Sequence, residues 1–125
     1  MLFFNNTRKN QWILRITDTE KQINSTEDLL VNLKKALNDV VQEKEEFVVL
    51  SPEKDFGHIS FLQVCKDNNS LSFHIETGLN VKNSGGYNKV VCRDAVPYGA
   101  IENIFLEYYQ NKSIDIKGWY ELEMN

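Results

Sequence analysis

A chain of 125 residues with 42% hydrophobic and 26% charged residues has the composition of one globular domain over residues 1–125, which argues against a disordered protein. Its 14 Lys and Arg against 18 Asp and Glu leave a net charge of −4. That balance disfavours direct nucleic-acid binding, because neutralising phosphates needs clustered cations.

The chain opens on Met1-Leu2-Phe3-Phe4 and turns polar at once with Asn5 to Asn10. This apolar start is too short for a signal-peptide core or a bilayer span, so a cytoplasmic chain is expected. Trp12 to Thr17 alternates apolar and polar positions and reads as a strand. Ser25-Thr26-Glu27-Asp28 has the pattern of a capping box, with Ser25 accepting from the backbone and Asp28 reaching back. Leu29, Leu30, Leu33, Leu37, Val40 and Val41 then recur at helical spacing, which predicts a helix over Thr26 to Gln42.

Phe47 to Leu50 is short, apolar and β-branched, as a central strand should be. Pro52 carries no N–H for a ladder and is expected to end it. His58 to Lys66 and Leu71 to Thr77 flank the turn formers Asp67-Asn68-Asn69-Ser70, which predicts a hairpin. Leu71, Phe73 and Ile75 point one way; Ser72, His74 and Glu76 point the other. With Asn68 and Asn69 as the tip, Val64 faces Phe73 and Leu62 faces Ile75 on an apolar side. Gln63 then faces His74, and Phe61 faces Glu76, on a polar side.

Tyr87 to Cys92 reads as a further strand. A second helix begins near Pro97 and stops at Asn111, with Tyr98, Ile101, Ile104, Phe105 and Tyr108 as its apolar stripe. Residues Ile114 to Met124 contain a last strand. The order β-α-β-β-β-β-α-β predicts an α+β fold: a largely antiparallel sheet of five or six strands with two main helices packed on it.

Candidate chemistry concentrates on the polar side of the hairpin. A His beside a carboxylate suits acid–base work. Cys65, placed diagonally to His74 on the same face, opens the alternative of a small enzyme using that pair. Neither Cys65 nor Cys92 has a Cys or His at metal spacing, so both read as buried free thiols, and no metal or cofactor is expected. Ser84-Gly85-Gly86 lacks the ending of a phosphate loop. Glu43, Glu45, Glu46, Glu53 and Asp55 form an acidic rim suited to steering a basic partner. Trp119, after Gly118, is a candidate exposed anchor.

Several segments in order resemble a known family. They are Glu46 to Ser51 (Glu-Phe-Val-Val-Leu-Ser), Ile59 to Gln63 (Ile-Ser-Phe-Leu-Gln), His74 to Glu76 (His-Ile-Glu), Tyr87, Ile104 to Tyr109 (Ile-Phe-Leu-Glu-Tyr-Tyr) and Trp119. From Glu46 to Leu122 the chain is similar to the small immunity proteins of bacterial polymorphic toxin and contact-dependent growth inhibition systems. The resemblance implies a non-catalytic antitoxin that binds the C-terminal domain of a cognate toxin, often a nuclease, and occludes its active site. Gln63, Glu76, Tyr87 and Trp119 are the positions that match its pattern. The expected contacts are Glu53, Asp55, Phe61, Gln63, His74, Glu76, Tyr87 and Trp119, made to a basic toxin domain by a monomer or weak homodimer. A non-catalytic ligand-binding or scaffold module is the remaining alternative.

Overall fold

A computed structural model describes residues 11–54, 57–68, 72–80 and 87–122. Among these, seven strands and two helices follow the order β1 (Trp12–Ile16), β2 (Thr19–Ile23), α1 (Thr26–Val41), β3 (Phe47–Pro52), β4 (Ile59–Lys66), β5 (Ser72–Leu79), β6 (Lys89–Pro97), α2 (Tyr98–Asn111) and β7 (Tyr120–Leu122). The strands form one sheet in the order β2-β1-β3-β4-β5-β6-β7. Every neighbouring pair is antiparallel. The α+β class is as expected, with one strand more than the expected order.

That extra strand is β2. It shows no apolar alternation, because four of its five residues are exposed and only Ile23 is buried. It exists because a two-residue loop, Thr17–Asp18, folds it onto β1, with Ile16 opposite Thr19. Thr17 takes a left-handed φ of 49°, which a β-branched residue rarely adopts. Its Oγ1 accepts from the Glu46 amide at 2.8 Å, and its own amide donates to the Phe47 carbonyl at 3.2 Å. These bonds to the start of β3 hold the turn without the glycine that such hairpins favour.

The helices lie together over one sheet face, α1 on β3 and β4, α2 on β5 and β6. The Ser25 side chain accepts from the Asp28 amide at 3.0 Å. Asp28 reaches back to the amide of Asn24, one residue earlier than a strict capping box. Leu29, Leu33, Leu37 and Val40 of α1 are buried in one core cluster with Leu14, Val48, Leu50, Leu62, Val64 and Ile75. Each such side chain contributes about 1.5–3 kcal/mol relative to exposure. Tyr108 of α2 is fully buried, edge-on to Trp12 with centroids 5.0 Å apart, and its hydroxyl donates to the Ile59 carbonyl at 3.1 Å. Pro97 stands extended at the N-cap position of α2 and makes no side-chain capping bond, and Lys112 ends the helix in a left-handed conformation at φ 61°.

Several strand boundaries differ from the sequence reading. β3 continues to Pro52, which pairs with Trp12 at the strand's last position, where a missing donor costs least. β6 starts at Lys89, so Tyr87 precedes it, and it runs on to Pro97. Among the described residues the last strand is Tyr120–Leu122, within the expected span, and Ile114 ahead of it is buried in the core. Leu71, Asp55, Glu123 and Met124 lie outside the described residues.

The β4–β5 register also differs. Val64 pairs with Ile75, Gln63 with Glu76 and Cys65 with His74, so each partner sits two residues further along than expected. Asp67 donates its amide to the Ser72 carbonyl at 3.0 Å, and the hairpin loop is two residues longer than an Asn68–Asn69 tip. An even shift keeps every side chain on its own face.

Candidate functional site

The sheet face opposite the helices carries the polar cluster. One row of paired positions crosses all seven strands: Glu20, Arg15, Val49, Gln63, Glu76, Cys92 and Tyr120. Arg15 and Glu20 form an ion pair at its β2 end. On either side of this row lie Phe61, Gly78, Val90 and Leu122, and Phe47, Cys65 and His74.

The aromatic part of the face is built around Gly78. A Cβ there would stand 2.3 Å from Phe61 Cε2 and 3.0 Å from Tyr87 Cβ. The absent side chain lets the Phe61 ring lie over the strand, edge-on to Tyr87 with centroids 5.0 Å apart. Tyr87 remains 49% exposed, and Tyr120 and Leu122 are exposed on the same face at 46% and 39%.

The charged part depends on a bulge. Between Phe73 and Ile75 of β5 the opposite strand steps from Val96 to Arg93, one residue more. Ala95 takes a left-handed φ of 55° within this bulge. Asp67, at the start of the β4–β5 loop, accepts from the Ala95 amide at 2.8 Å and from the Asn68 amide at 2.7 Å, pinning the irregular backbone. Bulges re-aim side chains, and this one brings Asp94 to His74.

A chain of hydrogen bonds results. The Tyr120 hydroxyl donates to Asp94 Oδ2 at 2.8 Å, Asp94 Oδ1 meets His74 Nδ1 at 2.5 Å, and His74 Nε2 meets Glu76 Oε2 at 2.8 Å. Burial works to lower the His74 pKa, but the bonds and charges of Asp94 and Glu76 outweigh it and raise it above the ordinary value. The His74 bond, followed by that of Tyr120, holds Asp94 below the usual carboxylate range. The bond to Asp94 pushes the Tyr120 hydroxyl up to about 12. Burial, reinforced by Glu76 and Asp94, pushes the Cys92 thiol up to about 11. Burial and the charges of Glu76 and Asp67 also raise Cys65.

This geometry bears on the thiol–imidazole alternative. Cys65 stands directly opposite His74 rather than diagonal to it. Both ring nitrogens of His74 are engaged by carboxylates, so neither is free to take a thiol proton. A raised thiol pKa further disfavours the thiolate that such a nucleophile needs. A cleft of about 280 Å³ between β2 and α1 is lined by Glu20, Lys21, Lys35, Asp39 and Glu45 among others, and is not a deep apolar pocket.

Phe61, Gln63, His74, Glu76 and Tyr87 therefore share one face. Glu53 is exposed beyond the end of β3, and Asp55 lies outside the described residues. Of the acidic rim, Glu43 pairs with Lys66 at 2.8 Å. Trp119 is half-buried and packed against the core, not an exposed anchor; its neighbour Tyr120 is the exposed aromatic. The sequence reading missed Asp94, Cys92 and Tyr120 as members of the cluster. Nothing in Arg93-Asp94-Ala95 signals a bulge.

No protein-family model, curated protein or solved structure matches the chain. Among the described residues, no helix is long and apolar enough to cross a membrane.

Proposed function

We propose that the chain is a cytoplasmic immunity protein that neutralises one cognate toxin domain by binding it, without catalysis, through the open sheet face. The observation that supports this most is the pairing, on that face, of exposed Tyr87, Tyr120 and Leu122 with the fixed carboxylates of Glu76 and Asp94. Aromatic anchors beside oriented charges are what a protein interface uses for affinity and register. The net charge of −4 suits a basic partner, such as a nuclease domain whose cations otherwise meet phosphate. An acidic inhibitor both speeds encounter with such a domain and covers its substrate contacts.

The experiment expresses the C-terminal domain of the protein encoded immediately upstream, scores its toxicity alone and with this chain, and follows with purification of the complex and calorimetry. Rescue of growth and a stable complex are expected. Tyr87→Ala and Tyr120→Ala should each weaken binding roughly tenfold or more, in line with interface anchors. Val31→Ala, on the exposed surface of α1, should leave it unchanged. Absence of a complex, or loss of binding from the α1 change instead, refutes the reading.

A further inference from the structure

We propose that His74, Glu76 and Cys92 form a binding site for one borderline transition-metal dication of the zinc type. This inference is independent of the toxin-binding reading. A ring nitrogen of His74, a carboxylate oxygen of Glu76 and the Cys92 sulfur lie within 4.8 Å of one another. Two adjacent strands supply them. His74 and Glu76 are two apart on β5, and Cys92 is paired with Glu76 from β6. A mixed N, O and S set selects zinc or cobalt over magnesium or calcium, which prefer oxygen alone.

A second observation points the same way. Metal-binding imidazoles donate their far N–H to a carboxylate, which fixes the tautomer and the ring plane. His74 Nδ1 already makes such a bond to Asp94 at 2.5 Å, and Asp94 is held in turn by Tyr120. That leaves Nε2 as the donor on the side of Glu76. Ligand atoms of a tetrahedral ion at about 2.0–2.3 Å stand roughly 3.3–3.8 Å apart. His74 and Glu76 therefore separate slightly from their 2.8 Å contact, which their side-chain exposures of 21% and 24% permit.

The ion replaces the proton shared by His74 and Glu76 and displaces the thiol proton of Cys92; both protons pass to solvent. The same crowding of negative charge that keeps the thiol protonated is offset by a dication. Three protein ligands leave a fourth position, on the open face, for water.

The test uses the full chain, reduced and freed of metal with a chelator, titrated with Co(II) as an optical probe and with Zn(II) by calorimetry. One ion per chain and a thiolate-to-cobalt charge-transfer band are expected. Cys92→Ser should abolish the band, Cys65→Ser should retain it, and Glu76→Gln should weaken Zn(II) binding. Asp94→Asn should weaken Zn(II) binding about 10–100-fold while keeping the band, as a positioning residue would. Where Cys92→Ser fails to fold, as judged by circular dichroism, Cys92→Ala and Glu76→Gln decide the matter by the same readouts. A wild-type protein without the band, or a band lost with Cys65 rather than Cys92, overturns the site.

Discussion

Replacing Gly78 with alanine tests the construction of the aromatic patch. The new Cβ would stand 2.3 Å and 2.7 Å from two Phe61 ring atoms and 3.0 Å from Tyr87 Cβ. The ring sits at the end of a half-exposed side chain, so it yields by turning away rather than by distorting the sheet. Its edge contact with Tyr87 is then lost, at about 0.5–1.5 kcal/mol, together with its cover over the strand. Opposing this, alanine is favoured over glycine in a strand by roughly 0.5–1 kcal/mol. The net expectation is a destabilisation of about 1 kcal/mol, at the low end of overpacking costs. In a Phe61→Ala background only the 3.0 Å approach to Tyr87 Cβ remains, which offsets the gain from replacing a strand glycine, and Gly78→Ala should be close to neutral. The coupling between the two sites is then about 1 kcal/mol. Urea unfolding monitored by circular dichroism gives both values from the midpoints, provided the slopes match. An effect of the same sign and size in both backgrounds would refute the claim that Phe61 occupies the space above Gly78.

Three further outcomes follow from the bonds described. Asp67→Ala removes the acceptor for the Ala95 and Asn68 amides, and should cost about 1–2 kcal/mol in a thermal melt, with amide shifts concentrated at residues 93–96. An unchanged melting temperature would show that Asp67 does not hold the bulge. Tyr108→Phe deletes a fully buried hydroxyl bonded to Ile59 and should cost about 1–2 kcal/mol at an unchanged denaturant slope. In chelator-treated native protein near neutral pH, both thiols should react slowly with a disulfide reagent, Cys92 more slowly than Cys65, and both should react fast after unfolding. A Cys92 that reacts as quickly as a small free thiol would contradict its burial.

Periodicity made much of this fold legible. Leu29 to Val41 announced α1, Tyr98 to Tyr108 announced α2, and the alternation of Phe73 to Glu76 assigned faces that the structure keeps. What escaped were features set by distant partners. β2 has no apolar pattern of its own and is ordered by β1. Thr17 holds its turn through bonds to residues some thirty positions away, a dependence that local propensity does not encode. The cluster was half legible: His74 and Glu76 follow from a period of two, whereas Cys92, Asp94 and Tyr120 join them only through the pairing of β5 with β6, the bulge and the short edge strand. Linear spacing gave Cys92 no nearby ligand because its neighbours are across the ladder rather than along the chain.

The two-residue difference at the β4–β5 turn carries an implication for how such a surface can vary. Side-chain direction depends on parity, so a turn that gains or loses residues in pairs slides one strand along the other while keeping oil inward and charge outward. A single insertion would turn His74 and Glu76 toward the helices and Ile75 toward water. Lengthening this turn by two therefore re-pairs the open sheet face, presenting a new combination of the same side chains, while the interior that supports it stays intact.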